Sequence, residues 1–346
     1  MYIYKTARQN ENEKYPTTLD FNRIANSRGL LDQKQQYSLS LLETGAEGEE
    51  LFLDYLNKFG NQDWWLVKNW WLKHFGKFEC DFVLFTRHKI YVFEIKNYQG
   101  IYSYENGSGY VNNREVPKSG VQQAKNASIK IQELCQKVDR SIEVQGVLVF
   151  ISADNHVEIK SDIGNLDVVP RAQLLNYIKE IVYEEQRSNR KPLDPKKLIT
   201  YCEKFETSPP NPLVPISPAQ MKKARKGIYC ARCQSYNITN TKLYVKCNCG
   251  LEESREEAVV RTICDYGVLN FESPLRREEI LSFLNEQVSR TYLISIIYKH
   301  FRVSKNYRYT YFENKRLPYV KIKEDFQIDL PSTLYLNEKN LIKFIK

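Results

Sequence analysis

Apolar residues recur with helical spacing in one part of the chain and with strand spacing in the next. Between Leu41 and Gly60, Leu51, Phe52, Tyr55, Leu56 and Phe59 fall on one side of an amphipathic helix. At about 100° per residue, Glu49 lies at the margin of that apolar side, while Glu47, Glu50 and Asp54 point away. Asp63–Trp71 then reads as a strand, with its four tryptophans as packing residues. Phe78–Phe85 and Ile90–Asn97 are rich in aromatic and β-branched residues and are separated by the polar Thr86-Arg87-His88-Lys89, which predicts a β-hairpin. Beyond it, Asn106-Gly107-Ser108-Gly109 marks a turn between Ile101–Tyr104 and Tyr110–Arg114. Gly120–Val138 predicts a helix, Val144–Ile151 a buried strand and Arg171–Glu184 a further helix. Helix, strands, helix, strand, helix in that order is the pattern of an α/β domain.

The pattern then changes character. Residues 207–220, rich in proline, read as a stiff polyproline linker. After it come helical signals over 254–266, 274–284 and 289–300, with Ser273-Pro274 and Ser289 as helix starts, and a strand pair around 302–312. The expected organisation is therefore an N-terminal arm (1–40), an α/β domain (41–206), the linker (207–220), a small module (221–253) and a C-terminal domain (254–346).

Charge follows these boundaries. Residues 221–346 carry 23 Lys and Arg against 14 Asp and Glu, whereas residues 1–220 are balanced at 28 of each. The whole net charge of +9 thus sits in the last third, which makes that part the expected polyanion-binding region. At 42% hydrophobic residues the chain can bury a proper core, yet no apolar run approaches a membrane span, and Met1–Gln9 has no signal-peptide character. Four of the eight cysteines cluster within twenty residues and the rest are not spaced as a disulfide framework. A reducing, cytoplasmic setting without a membrane partner is the expectation.

Candidate chemistry begins with the hairpin. Alternation puts Glu94 and Lys96 on one side with Ile90 and Val92, and Asp81 on the side of Val83 and Phe85. Burying a carboxylate costs several kcal/mol, roughly, unless a cation compensates it, so two acids and a lysine here point to a cation site. A second candidate is Cys230-x2-Cys233 followed by Cys247-x-Cys249-Gly250. Four thiolates in two close pairs suit tetrahedral Zn²⁺ in a structural role, since Cys₄ leaves no open position. Cys80, Cys135, Cys202 and Cys264 read as small buried hydrophobes, and none of the four histidines is assigned to catalysis.

Gly45-Ala-Glu-Gly48-Glu49, Cys80-Asp81, Phe93-Glu94-Ile95-Lys96-Asn97-Tyr98-Gln99-Gly100 and Gln123-Ala124 together resemble, in order and spacing, the nuclease-related domain (NERD). That family is a relative of the PD-(D/E)XK nucleases, and the resemblance covers about residues 40–155. It departs at Ser119-Gly120, where the family has Asn-Pro. The resemblance implies a restriction-endonuclease-like core in which Asp81, Glu94 and the Ile95 backbone carbonyl hold Mg²⁺ or Mn²⁺. It also implies Lys96 as catalytic lysine, Glu49 as auxiliary acid, and Gln123 as a contact to phosphate or lysine. The cysteine module resembles a zinc ribbon, and the C-terminal helices and strand pair resemble a winged helix-turn-helix. There Arg290, Lys299, Arg302, Lys305 and Arg308, interleaved with tyrosines, are the expected nucleic-acid contacts. The implied function is a metal-dependent nuclease brought to DNA by its C-terminal modules. By analogy with bacterial families of this layout, it would serve DNA processing or foreign-DNA defence. The alternatives are a non-catalytic DNA-binding protein that keeps the nuclease fold as a scaffold, and a basic module docking an acidic partner. Oligomeric state stays open.

Overall fold

In a computed structural model of the chain, residues 1–306 and 309–323 are described. Two compact units emerge: Met1–Asn10 with Ser40–Pro212, and residues 11–39 with the chain from Leu213 onward. The expected arm is thereby divided. Its elements are β1 (Tyr2–Ile3), α1 (Ala7–Asn12) and α2 (Thr18–Ser27), followed by α3 (Gln33–Phe59). Tyr2 and Ile3 add a parallel strand beside Trp65 and Leu66 in the first unit, whereas Phe21, Ile24 and Ala25 of α2 are core residues of the second. Helix α3 starts eight residues before the apolar pattern does. Asp32 and Gln35 cap its start reciprocally, side chain to backbone, at 2.8 and 2.9 Å, so polar groups set its boundary.

The first unit continues with β2 (Trp65–Lys73), β3 (Lys77–Phe85), β4 (Ile90–Lys96), β5 (Gly100–Glu105), β6 (Ser108–Val111) and β7 (Arg114–Glu115). Then follow α4 (Gly120–Gln136), β8 (Val144–Phe150), β9 (Asn155–Ile159), β10 (Asp167–Pro170), α5 (Arg171–Arg187) and α6 (Pro195–Glu203). Six strands form one sheet in the order β1-β2-β3-β4-β8-β10; β2, β3 and β4 run antiparallel, and β8 lies parallel to both β4 and β10. A smaller sheet runs β7-β6-β5-β9. On one side of the large sheet, Tyr91 and Phe93 pack under Phe52 and Leu56 of α3 and Leu174 and Ile178 of α5. On the other, Ile90 and Val92 pack under Ala127 and Ile131 of α4 and Leu198 of α6. Alternation along β4 therefore sorts its residues between two helical layers, and the unit is α/β.

Alternation breaks at one place. Val67 and Trp70, three residues apart, share one core cluster, and so do Cys80 and Val83 on the paired strand. Asn69 between the first pair has φ of 48°, a left-handed conformation that Asn tolerates better than most residues. Asp81 lies at the same break on β3.

In the second unit come α7 (Pro218–Lys223), β11 (Ile238–Asn240), β12 (Tyr244–Cys247), β13 (Glu252–Ser254) and α8 (Arg255–Leu269). They are followed by α9 (Arg277–Phe283), α10 (Arg290–His300), β14 (Val303–Asn306), β15 (Tyr309–Phe312) and α11 (Tyr319–Ile322). The proline-rich stretch is not linker throughout. The Ile216 amide donates to the Leu269 carbonyl at 3.0 Å, and Ser217 with Gln220 caps α7. Strands β11, β12 and β13 form an antiparallel sheet, and β14 and β15 form a hairpin. Leu275, between α8 and α9, exchanges both backbone hydrogen bonds with Phe312 of β15 at 2.9 Å. Among the described residues, no helix is long and apolar enough to cross a membrane.

Candidate active site and metal centre

Strands β3 and β4 pair from Phe85↔Ile90 to Phe82↔Phe93 and no further. At the next residue the backbone ladder is replaced by a side chain: the Ile95 amide donates to Asp81 Oδ2 at 2.7 Å. Strand β4 continues beyond this point because β8 holds its other edge, from Ile90↔Val144 to Lys96↔Phe150. The strands thus part where Asp81, Glu94 and Lys96 stand, and Lys96 Nζ meets Glu94 Oε1 at 2.7 Å. Glu94 is only 3% exposed.

Electrostatics mark these residues as one group. Burial raises the Asp81 carboxyl above its ordinary range, against the pull of Lys96 and the Ile95 amide. Burial and then the Asp81 charge push Glu94 up to about 8, with Lys96 acting the other way. Burial disfavours the Lys96 ammonium, but Glu94 and Asp81 outweigh it and hold the lysine cationic well above its usual range. Two acids whose charged forms burial disfavours, with the Asp81 charge adding to the effect at Glu94 and one lysine bonded to Glu94, form a hard-oxygen donor set short of positive charge. That chemistry fits a divalent cation such as Mg²⁺.

Glu49 joins from α3. Burial, followed by the charges of Asp81 and Glu79, raises it to about 7. Its approach depends on Gly48, where a Cβ would stand 2.8 Å from Asn97 Cβ and 3.0 Å from Ile151 Cγ2. Asn97, just after β4, donates to the Thr44 carbonyl at 2.8 Å and ties the helix to the end of that strand. Gly45, in contrast, has open space around it. Gly48→Ala is expected to push Asn97 aside and destabilise this unit by about 1–3 kcal/mol. Tryptophan-fluorescence unfolding measures this, and an unchanged midpoint would mean that Asn97 yields freely.

Gln123 lies in the first turn of α4, its amide bonded to the Ser119 carbonyl. It lines a cavity of about 520 Å³ with Lys118, Ser119 and Gln122. At the start of the same helix, Gly120 approaches Lys96, since an added Cβ there would stand 3.4 Å from Lys96 Cε. At the position where the family pattern has proline, the lysine stem passes over a bare α-carbon.

Glu79 escaped the sequence reading. It keeps solvent contact yet is crowded by protein, and this crowding and the Asp81 charge raise it to about 7. The signal was an acid two residues before Asp81 in an otherwise apolar strand.

The four cysteines of the second unit converge. All four Sγ atoms lie within 4.8 Å of one another, with Cys230–Cys249 at 3.6 Å and Cys233–Cys247 at 3.5 Å. A tetrahedron with Zn–S bonds of about 2.3 Å has edges of about 3.8 Å, so the thiols stand near zinc-ligand spacing. Left-handed Gln234 and Gly250 close the turns behind each pair, and the amides of Arg232 and Cys233 point at the Cys230 sulfur. The shorter Cys-x-Cys pair therefore still presents both sulfurs. The cluster is compatible with a zinc ribbon. Among the described residues, the carboxylates around Asp81 are not gathered as closely.

Of the expected basic contacts, Arg290 pairs with Glu278 at 2.9 Å and Lys299 with Glu256 at 2.6 Å. Both pairs are solvent-accessible, so each is worth only about 0–1 kcal/mol and leaves the cations available to a stronger anion. Arg302 is exposed at the start of the hairpin. The Lys305 side chain and Arg308 lie outside the described residues.

Residues 44–151 match the sequence profile of the nuclease-related domain (NERD) family. No curated protein and no solved structure matches the chain.

Proposed function

We propose that this nuclease-related domain hydrolyses phosphodiester bonds of DNA with the help of Mg²⁺ or Mn²⁺. The observation that carries the reading is the convergence of Asp81, Glu94 and Lys96 where β3 leaves β4. Asp81, Glu94 and the Ile95 carbonyl would hold the ion, with Glu49 as auxiliary acid. Bound there, a divalent cation supplies Lewis-acid polarisation of the phosphate and a more acidic water. Lys96 offers its ammonium to the charge that develops on the phosphoryl oxygens. Burial keeps water from weakening that interaction. Gln123 and Lys118, near the start of α4, extend polar contacts along the substrate.

The second unit supplies recruitment. Its order of α8, the Leu275 bridge, α9, α10 and the β14–β15 hairpin supports a winged-helix reading, with Arg290, Lys299, Arg302, Lys305 and Arg308 as nucleic-acid contacts. Cys230, Cys233, Cys247 and Cys249 bind one Zn²⁺ for folding. Metal analysis of the purified protein is expected to give near-stoichiometric zinc, lost in Cys230→Ser and Cys247→Ser; a metal-free protein with an intact C-terminal unit would sink this assignment. The test of the whole reading is cleavage of plasmid, linear, nicked and single-stranded DNA and of RNA with Mg²⁺ or Mn²⁺. Failure on every substrate with either metal would favour the scaffold alternative. A role in DNA processing or defence against foreign DNA, in the cytoplasm, accords with such an activity.

A further inference from the structure

The loop between β2 and β3 carries an aromatic side chain in the place least suited to it. Lys73 pairs with Lys77, leaving His74-Phe75-Gly76 as the connection. Phe75 is 85% exposed, and its φ of 46° is a left-handed conformation that is an outlier for a bulky residue. Glycine or asparagine would suit both the backbone and the water better. The loop is nevertheless firmly held. The His74 amide donates to the Gly76 carbonyl at 3.0 Å, and Lys130 Nζ donates to the Phe75 carbonyl at 3.2 Å. His74 Nε2 lies 2.9 Å from Glu133 Oε2, and its ring stands 4.5 Å from that of Phe75. The ring is thus presented on a braced support, with the His74 ring beside it and most of its surface open to water.

Its surroundings indicate what it meets. Lys73 and Lys77 are exposed on either side, Lys130 lies beneath, and the Glu133 carboxylate beside the loop is paired with His74. A single ring flanked by cations suits a flat π-surface joined to phosphates. Helix α4 links the loop to the proposed active site, since Gly120 lies against Lys96 and Lys130 holds Phe75. Along β3, Lys77 is four residues from Asp81, about 13 Å at the usual strand rise, and Phe75 stands on the turn just beyond it, a reach of about four to five stacked nucleotides.

We propose that Phe75 stacks on an unpaired base of the nucleic acid strand bound at the Asp81 site, about four to five nucleotides from the scissile phosphate. This rests on the nuclease reading for the position of the strand, and on the hairpin alone for the stacking. Base–aromatic stacking tolerates any sequence because every base has a π-face.

The test uses the full-length protein with EDTA present and single-stranded oligonucleotides carrying 2-aminopurine at successive positions. The expected result is a fluorescence change at one position with the parent protein and with Phe75→Tyr. Phe75→Ala and Phe75→Gly should lose it, together with about tenfold in affinity. Both should melt no lower than the parent, and Phe75→Gly, freed of backbone strain, should melt slightly higher. Unchanged affinity and an unchanged fluorescence profile in Phe75→Ala would overturn the stacking role, while cleavage by the parent would leave the nuclease reading standing. A Phe75-dependent signal in a protein that cleaves nothing would do the reverse.

Discussion

Asp81→Asn is expected to reduce cleavage by about a hundredfold or more while nucleic-acid affinity stays within about twofold. Asparagine keeps the shape and can still accept from the Ile95 amide, so the strand opening survives. What goes is the negative charge that, with Glu94, holds the cation. Glu94→Gln should match it in activity but cost stability as well, because the largely buried Lys96 keeps an acceptor yet loses the negative charge at 2.7 Å. Lys96→Met should keep Mg²⁺ binding and lose turnover, since its work is done on the phosphate. Single-turnover cleavage, binding in EDTA and thermal unfolding separate these outcomes. Persistent cleavage in both Asp81→Asn and Lys96→Met would place the chemistry elsewhere. Cleavage lost together with affinity in Asp81→Asn would mean that the site holds substrate instead of activating it.

The core of the first unit was legible because two periods of hydrophobicity carry it. Tyr91 and Phe93 do pack apart from Ile90 and Val92, as alternation requires. The cysteine cluster was legible for a different reason: four sulfur ligands within twenty residues leave few other arrangements. Three things did not show. Residues 11–39 pass to the second unit through one face of α2, Leu30 and Leu31, the Tyr15–Phe271 ring contact and a buried arginine, and a short polar sequence gives no sign of these partners. The break at Asn69 depends on a backbone angle, which residue alternation cannot express. Glu79 joins the acids only because β3 and β4 part at Asp81, and a pairing that stops is invisible to pattern. The close approach of the lysine stem to Gly120 is a further feature that residue pattern does not express.

Arg28 is expected to be the most costly single residue to lose from the second unit. Its side chain is wholly buried, with Nη2 2.7 Å from Asp265 Oδ2 and Nη1 2.6 Å from the Gly227 carbonyl. The guanidinium lies between the rings of Tyr229 and Phe283, at 4.7 and 4.5 Å. It therefore joins residues 11–39 to the zinc-module side and to α8 and α9 at once. Arg28→Met takes the ion-pair partner from buried Asp265, which keeps the Tyr229 hydroxyl and the nearby Arg261 charge, at a cost of about 3–5 kcal/mol. Arg28→Met with Asp265→Leu should recover much of that loss, because the carboxylate that lost its ion-pair partner is then gone as well. All four tryptophans, at 64, 65, 70 and 71, belong to the first unit. Denaturant unfolding followed by tryptophan fluorescence should thus be nearly unchanged in Arg28→Met, while far-ultraviolet circular dichroism shows part of the transition moving to lower denaturant. If both probes keep the parent midpoint, the pair does not hold the N-terminal segment in place. If the double variant is no better than Arg28→Met, what matters is the arginine's contacts to the rings and to the Gly227 carbonyl, not its charge.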